Sequence, residues 1–194
     1  MTPDRRSIEE ESVIRVDRDD RPIGIAAKRV CHDGSGLLHR AFSVHLVDPQ
    51  GRVLVQRRSP EKRLWPGYWS NSCCSHPRPG ETVEAAVRRR VEEELGMTVE
   101  TLEYLYKFEY HATYGAIGAE WEVCWVYLGG TADRPQPDPT ELDAWDWWSP
   151  EHITRRLVAE GEGTFTPWFC QEWRELEWAF PQRLAAYGAV AAAS

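Results

Sequence analysis

The chain has 194 residues, a formal net charge of −8, 42% hydrophobic and 28% charged residues, values ordinary for one globular domain able to bury its own core. The negative balance argues against non-specific binding to nucleic acid or to an anionic membrane. Five cysteines, Cys31, Cys73, Cys74, Cys124 and Cys170, make an odd number with no C-x₂-C pair, which points away from a disulfide framework and towards a reducing compartment. The opening "MTPDRRSIEEESVIRV" has no apolar stretch of signal-peptide type, and no apolar run reaches membrane-spanning length. The expected address is the cytoplasm.

In chain order, residues 1–11 read as a disordered acidic tail, 12–188 as one domain and 189–194 as a flexible end. "SVIRVDRDDRPIG" predicts a strand, a D-D-R-P turn and a second short element. "RAFSVHLVDPQGRVLVQRR" predicts two alternating strands in a hairpin around D-P-Q-G. "GYWSNSCCS" reads as extended. "PGETVEAAVRRRVEEELG" carries the strongest helix signal, with Thr82 as N-cap, Val83, Ala86, Val87, Val91 and Leu95 at helical spacing, and Gly96 as the stop. Residues 98–110, 119–129 and 144–149 predict strands, 133–141 a proline-rich loop, and Pro167 opens a final helical pattern. The sum is a mixed α/β domain with a curved sheet and helices on both faces. Ten tryptophans are expected mostly in the core.

The stretch "SHPRPGETVEAAVRRRVEEELGM" (75–97) resembles the Nudix box. Glu81, Arg89, Val91, Glu93, Glu94, Gly96 and Met97 fall on its pattern. Carboxylates ending a helix suit a hard cation such as Mg²⁺. Two positions depart from the pattern: Ser75 replaces the opening glycine, and Arg90 stands where the box has the glutamate central to diphosphate hydrolysis. A cation there cannot ligate Mg²⁺ but can hold a phosphate, which favours gripping a diphosphate over cleaving one.

"NSCCSHP" (71–77) sets two adjacent cysteines beside a histidine. Adjacent cysteines rarely bridge each other. In an extended chain Cys74 and His76 share a face and Cys73 points away. By the same parity Glu120, Glu122 and Cys124 share one face of "AEWEVCW". Buried carboxylates are costly unless paired or liganded. With His32 and His39 from "CHDGSGLLHRAF", three histidines and two glutamates make a metal site suited to Mn²⁺, Mg²⁺ or Zn²⁺. The basic knots 57–63 and 88–90 could hold a small anion or form a solvated charged face.

Across residues 12–180 the chain resembles the type I isopentenyl diphosphate isomerases. The matches are "K-x₃-H-x₆-H-x-A-F" (28–42), "RR-x₆-WPG-x-W-x-NS-x-C-x-H-P" (57–77), the Arg90-bearing helix, "E-x-E-V-C" (120–124) and "TPW" (166–168). The resemblance implies a Nudix-type α/β/α sandwich with a curved mixed sheet, N-terminal short strands and C-terminal helices. It implies interconversion of isopentenyl and dimethylallyl diphosphate through a tertiary carbocation, without flavin. Cys74 and Glu122 would move protons on opposite faces of the substrate, with Tyr110 hydrogen-bonded to Glu122. His32, His39, His76, Glu120 and Glu122 would hold one metal ion. Lys28, Arg58, Lys62 and Arg90 would grip the diphosphate, with a second Mg²⁺ at Glu94. Trp168 would lie over the reacting carbons. The implied partner is a small allylic or homoallylic diphosphate, with no nucleic acid or membrane, bound by a monomer or weak dimer. A Nudix diphosphate hydrolase is the alternative; it calls for glutamate at 90 and has no need of Cys74.

Overall fold

Nine strands and five helices follow one another in the computed structural model, which describes residues 11–190. The expected acidic tail (residues 1–10) and most of the expected flexible end (191–194) lie outside the described residues. The strands are β1 (Ser12–Val16), β2 (Pro22–Ala27), β3 (His39–Val47), β4 (Val53–Arg58), β5 (Trp69–Ser70), β6 (Cys73–Ser75), β7 (Thr101–Tyr114), β8 (Gly118–Gly130) and β9 (Leu142–Trp148). The helices are α1 (Lys28–His32), α2 (Val83–Leu95), α3 (Pro150–Glu160), α4 (Pro167–Ala179) and α5 (Pro181–Val190).

The hairpin expected around D-P-Q-G is where structure and sequence reading differ most. Its two strands pair only at Val47 and Val53, then part. β3 is taken instead by β8, which runs parallel to it from His39–Glu122 to Val47–Gly130, and by β6. β4 is taken by β9 and β5. The extended "GYWSNSCCS" therefore changes partner at Asn71 and Ser72, its two halves serving the two diverging strands. β3 is buried on both sides at every residue except Arg40, as befits a strand covered on two faces.

Those two faces meet different helices. Phe42, Val44 and Leu46 of β3, with Cys73 and Tyr127, pack against Val83, Ala86, Val87, Val91 and Leu95 of α2. On the other face Val47, Cys124 and Leu128 meet Phe169, Trp173 and Leu176 of α4. The order helix, sheet, helix is the expected α/β/α sandwich.

α2 starts and stops as its sequence requires. The Thr82 hydroxyl accepts from Ala85 N at 3.2 Å, satisfying a donor left open by the first turn. Gly96 ends the helix at φ 62, a left-handed conformation, and any Cβ there would press on the Gln136 carbonyl at 3.0 Å. Only glycine meets both demands. α3 had no place in the sequence reading, although "SPE" at 149–151 carries its signal: Ser149 accepts from His152 N and Pro150 takes the first turn. Four tryptophans are buried and five half-buried, but Trp178 is 81% exposed. It extends the outward stripe of Gln171 and Arg174 on α4, so the expectation of a core role fails there.

Glu81, ahead of α2, accepts from Arg89 Nε and Nη2 at 2.8 Å each and from Arg78 N at 2.9 Å. The Arg89 hydrogen bonds hold its carboxyl below the usual carboxylate range, against the opposing effect of burial. A lowered folded pKa means stability present above the unfolded value and lost as pH falls through the folded one. Glu81→Gln is expected to cost about 1 kcal/mol at neutral pH. That difference should shrink once pH drops below about 4. Urea unfolding at two pH values checks it; a cost independent of pH contradicts the ion-pair account.

Candidate functional site

Three separate elements bring the three histidines together. His32 ends α1, His39 opens β3, and His76 follows β6 by one residue. The register of parallel β3 and β8 sets His39 beside Glu122. Gly118 at the start of β8 lets α1 close in, because a Cβ there would collide with the His32 carbonyl.

His39 Nδ1–H donates to Leu37 O at 2.7 Å, so the neutral ring keeps its lone pair on Nε2. That Nε2 lies 3.2 Å from His32 Nε2 and 3.1 Å from His76 Nε2. Glu122 Oε1 is 3.1 Å from His76 Nε2 and 3.4 Å from His39 Nε2. Burial pushes His76 well below the ordinary imidazole range, and Lys28 with the other two imidazoles pushes the same way. Converging lone pairs and a carboxylate repel one another unless a cation or shared protons sit between them. Ligand atoms of His32, His39, His76 and Glu122 all lie within 4.8 Å of one another, a donor set that fits a divalent metal ion. Glu120 stands just outside this foursome, its Oε2 2.9 Å from His32 Nε2 and buried without a hydrogen bond.

Glu122 serves two sides at once. Its Oε2 accepts from the Tyr110 hydroxyl at 2.6 Å, across the register pair Tyr110–Glu122 of β7 and β8. Burial opposes charge on both His39 and Glu122, but Glu122 and the Leu37 carbonyl favour a protonated His39, and that protonated ring with the Tyr110 hydrogen bond holds the Glu122 carboxyl below the usual range. Cys74 borders the same cavity as Glu122, Tyr110, His76 and Trp168. Burial raises its thiol to about 12, so it carries its proton at neutral pH. Cys73 is wholly buried on the opposite face, among the α2 contacts, as strand parity requires.

Trp168, in the first turn of α4, is 2% exposed and faces this cavity. Its Nε1 donates to Asn71 Oδ1 at 3.2 Å, and Asn71 Nδ2 donates to Cys73 O at 2.8 Å. Asn71 thereby ties the tryptophan to the strand that carries Cys74. The sequence reading gave it no role, although it lies inside a quoted motif.

The same cavity is also rich in cations. Lys28, Arg58, Lys62 and Arg90 all line it, as does Glu94. Arg58 lies 5.4 Å from the Trp168 ring centre and donates to the carbonyls of Leu64 and Trp65. Arg90 is held on every nitrogen: Nε and Nη2 donate to Glu94 at 2.9 and 2.6 Å, and Nη1 donates to Glu93 at 3.0 Å. Nη2 also reaches Glu141 at 3.2 Å, and Lys62 donates to the same carboxylate. Glu141 went unseen in the sequence reading, since it stands 51 residues from Arg90 and 79 from Lys62.

The NUDIX domain family matches residues 37–169. An isopentenyl-diphosphate Delta-isomerase 1 of Photorhabdus laumondii is 40% identical over 167 residues, covering 86% of this chain and 94% of that protein. An isopentenyl-diphosphate Delta-isomerase of Clavibacter sepedonicus is also 40% identical, over 95% of both chains. Among solved structures, DR0079 of Deinococcus radiodurans superposes with a TM-score of 0.69 at 23% identity, covering 85% of this chain and 98% of that one; this similarity speaks to fold. With a histidine–glutamate cluster, Cys74 and an arginine at 90 all on one cavity, the chain belongs to the NUDIX superfamily and, within it, to the isopentenyl-diphosphate Delta-isomerases.

Proposed function

We propose that this enzyme interconverts isopentenyl and dimethylallyl diphosphate, with residues 12–188 as one catalytic domain. The observation that carries the reading is a single cavity lined by Cys74, Glu122 and Trp168 together with Lys28, Arg58, Lys62 and Arg90. The reaction adds a proton to the terminal alkene carbon, leaves a tertiary cation, and removes a proton from the carbon on its diphosphate side. One group must enter the cycle with a proton and another without. Cys74 as thiol and Glu122 as carboxylate meet that need. Tyr110 holds Glu122 in place by its hydrogen bond. Trp168 offers its ring face to the cationic carbon, an attraction of about 2 kcal/mol in a desolvated site.

His32, His39, His76 and Glu122, with Glu120 beside them, would hold Mn²⁺, Mg²⁺ or Zn²⁺, and Glu94 a Mg²⁺ that arrives with the diphosphate. A bound divalent ion supplies positive charge that orients carboxylates and offsets phosphate charge. Arg90 and Arg58 can grip phosphate oxygens in pairs, while Lys28 and Lys62 act as point charges. A cytoplasmic setting accords with five cysteines, none of them paired, and no helix among the described residues is long and apolar enough to cross a membrane. We take the working form to be a monomer or weak dimer that needs neither nucleic acid nor membrane.

Incubation with isopentenyl diphosphate and Mg²⁺, followed by NMR, tests the reading. The dimethylallyl isomer should accumulate without free phosphate; phosphate release instead favours the hydrolase alternative. Arg90→Lys keeps the charge facing Glu94 and Glu141 but loses the paired grip. It should lower kcat/KM by about 10-fold or more, the worth of one charge-assisted hydrogen bond. Unchanged kinetics would leave Arg90 a purely structural residue.

A further inference from the structure

The proline-rich loop 133–141 has no part in the chemistry above, yet its last residue enters the cavity. Its backbone is pinned on two sides. Gln136 N donates to Leu95 O at 2.7 Å and Asp138 N to Glu94 O at 2.9 Å, both at the end of α2. Ser59 N donates to Glu141 O at 3.0 Å, just beyond β4. The Glu141 side chain is 6% exposed and takes Lys62 on Oε2 and Arg90 on Oε1. These are two of the cations assigned above to the diphosphate, so in the free protein a carboxylate already occupies them.

The cations that line this cavity repel one another; Arg90 is fixed by Glu93 and Glu94 as well as by Glu141, whereas the long Lys62 side chain is drawn in by Glu141. We propose that Glu141 is a built-in counter-anion: it holds Lys62 and Arg90 ready for a diphosphate, yields them when one binds, and thereby selects metal-complexed diphosphate over the bare anion. The inference rests on the diphosphate reading of the cavity. Because the backbone is pinned, the displaced carboxylate stays close to the incoming phosphates. A bare diphosphate then meets an extra negative charge, whereas one already carrying a divalent cation meets far less repulsion.

Calorimetric titration of the full chain with inorganic pyrophosphate tests this, once in a strong chelator and once in excess Mg²⁺. Glu141→Gln should bind bare pyrophosphate at least about tenfold tighter than the wild type, the scale of one charge-assisted contact no longer competed for. In Mg²⁺ the two proteins should agree within about threefold, since the complexed anion feels the carboxylate less. Glu141→Asp, which keeps the charge but shortens the reach to both cations, should fall between them in chelator and decides the matter if the glutamine variant does not fold. Equal or weaker binding of bare pyrophosphate by the variants overturns the counter-anion role. No binding to the wild type even in Mg²⁺ overturns the diphosphate reading itself, a distinguishable result.

Discussion

Cys74→Ala should cut isomerisation by about 10²–10⁴-fold or more, the range over which a positioned proton-transfer group contributes. Cys73→Ala should keep turnover within about threefold, because its loss is one of packing. The two residues differ by one step along β6, and one step reverses the face of a strand. Cys74 pairs with Ser43 and borders the cavity, while Cys73 pairs with Val44 and packs on α2. Removing the Cys73 sulfur leaves a small void beside Val83 and Val87, which should register as lost stability of about 1–2 kcal/mol in a denaturant titration. Steady-state rates on both variants, with unfolding curves beside them, separate the two effects. Comparable rate losses in both would mean that the strand does not present Cys74 alone to substrate.

That contrast was legible in the sequence because it depends on local regularity. Parity in a three-residue strand, a threonine cap, a glycine stop and the spacing of the α2 apolar residues need no knowledge of distant partners. What stayed hidden depends on partners far along the chain. The D-P-Q-G hairpin looks the same whether its strands stay together or separate; they separate because β8 and β6 claim one and β9 and β5 the other. Glu141 meets Lys62 and Arg90 only after β4 and the end of α2 have been brought to one place. His45 and Glu172, 127 residues apart, form a fully buried pair at 3.0 Å that joins β3 to α4 four residues after Trp168. No local pattern announces either contact. The histidine–glutamate cluster is intermediate: residue types and parity singled out candidates for it, but only the parallel register of β3 and β8 shows that Glu122, rather than Glu120, faces His39.

Glu122→Gln should be the most damaging isosteric change in the protein, because one carboxylate carries two separate tasks. Oε1 faces the imidazole nitrogens and Oε2 accepts from Tyr110. An amide keeps the size but loses the charge: it can turn its NH₂ to the Tyr110 hydroxyl, which can accept, but its neutral oxygen is then a much weaker partner for a cation held by the imidazoles. Isomerisation should fall by about 10²–10⁴-fold or more, and the metal content of purified protein, read by mass spectrometry, should fall with it. Tyr110→Phe separates the tasks, since it removes the hydrogen bond and leaves the Oε1 side untouched. That variant should retain its metal while losing about 10-fold in kcat, as expected when a hydrogen bond to a charged group disappears. Dialysis of the wild type against a strong chelator should remove both metal and activity, and Mn²⁺, Mg²⁺ or Zn²⁺ should restore them. Full activity in metal-free wild-type protein would remove the ion from the mechanism, and unchanged metal content in Glu122→Gln would take this carboxylate out of the ligand set while leaving its proton-transfer role to the kinetics.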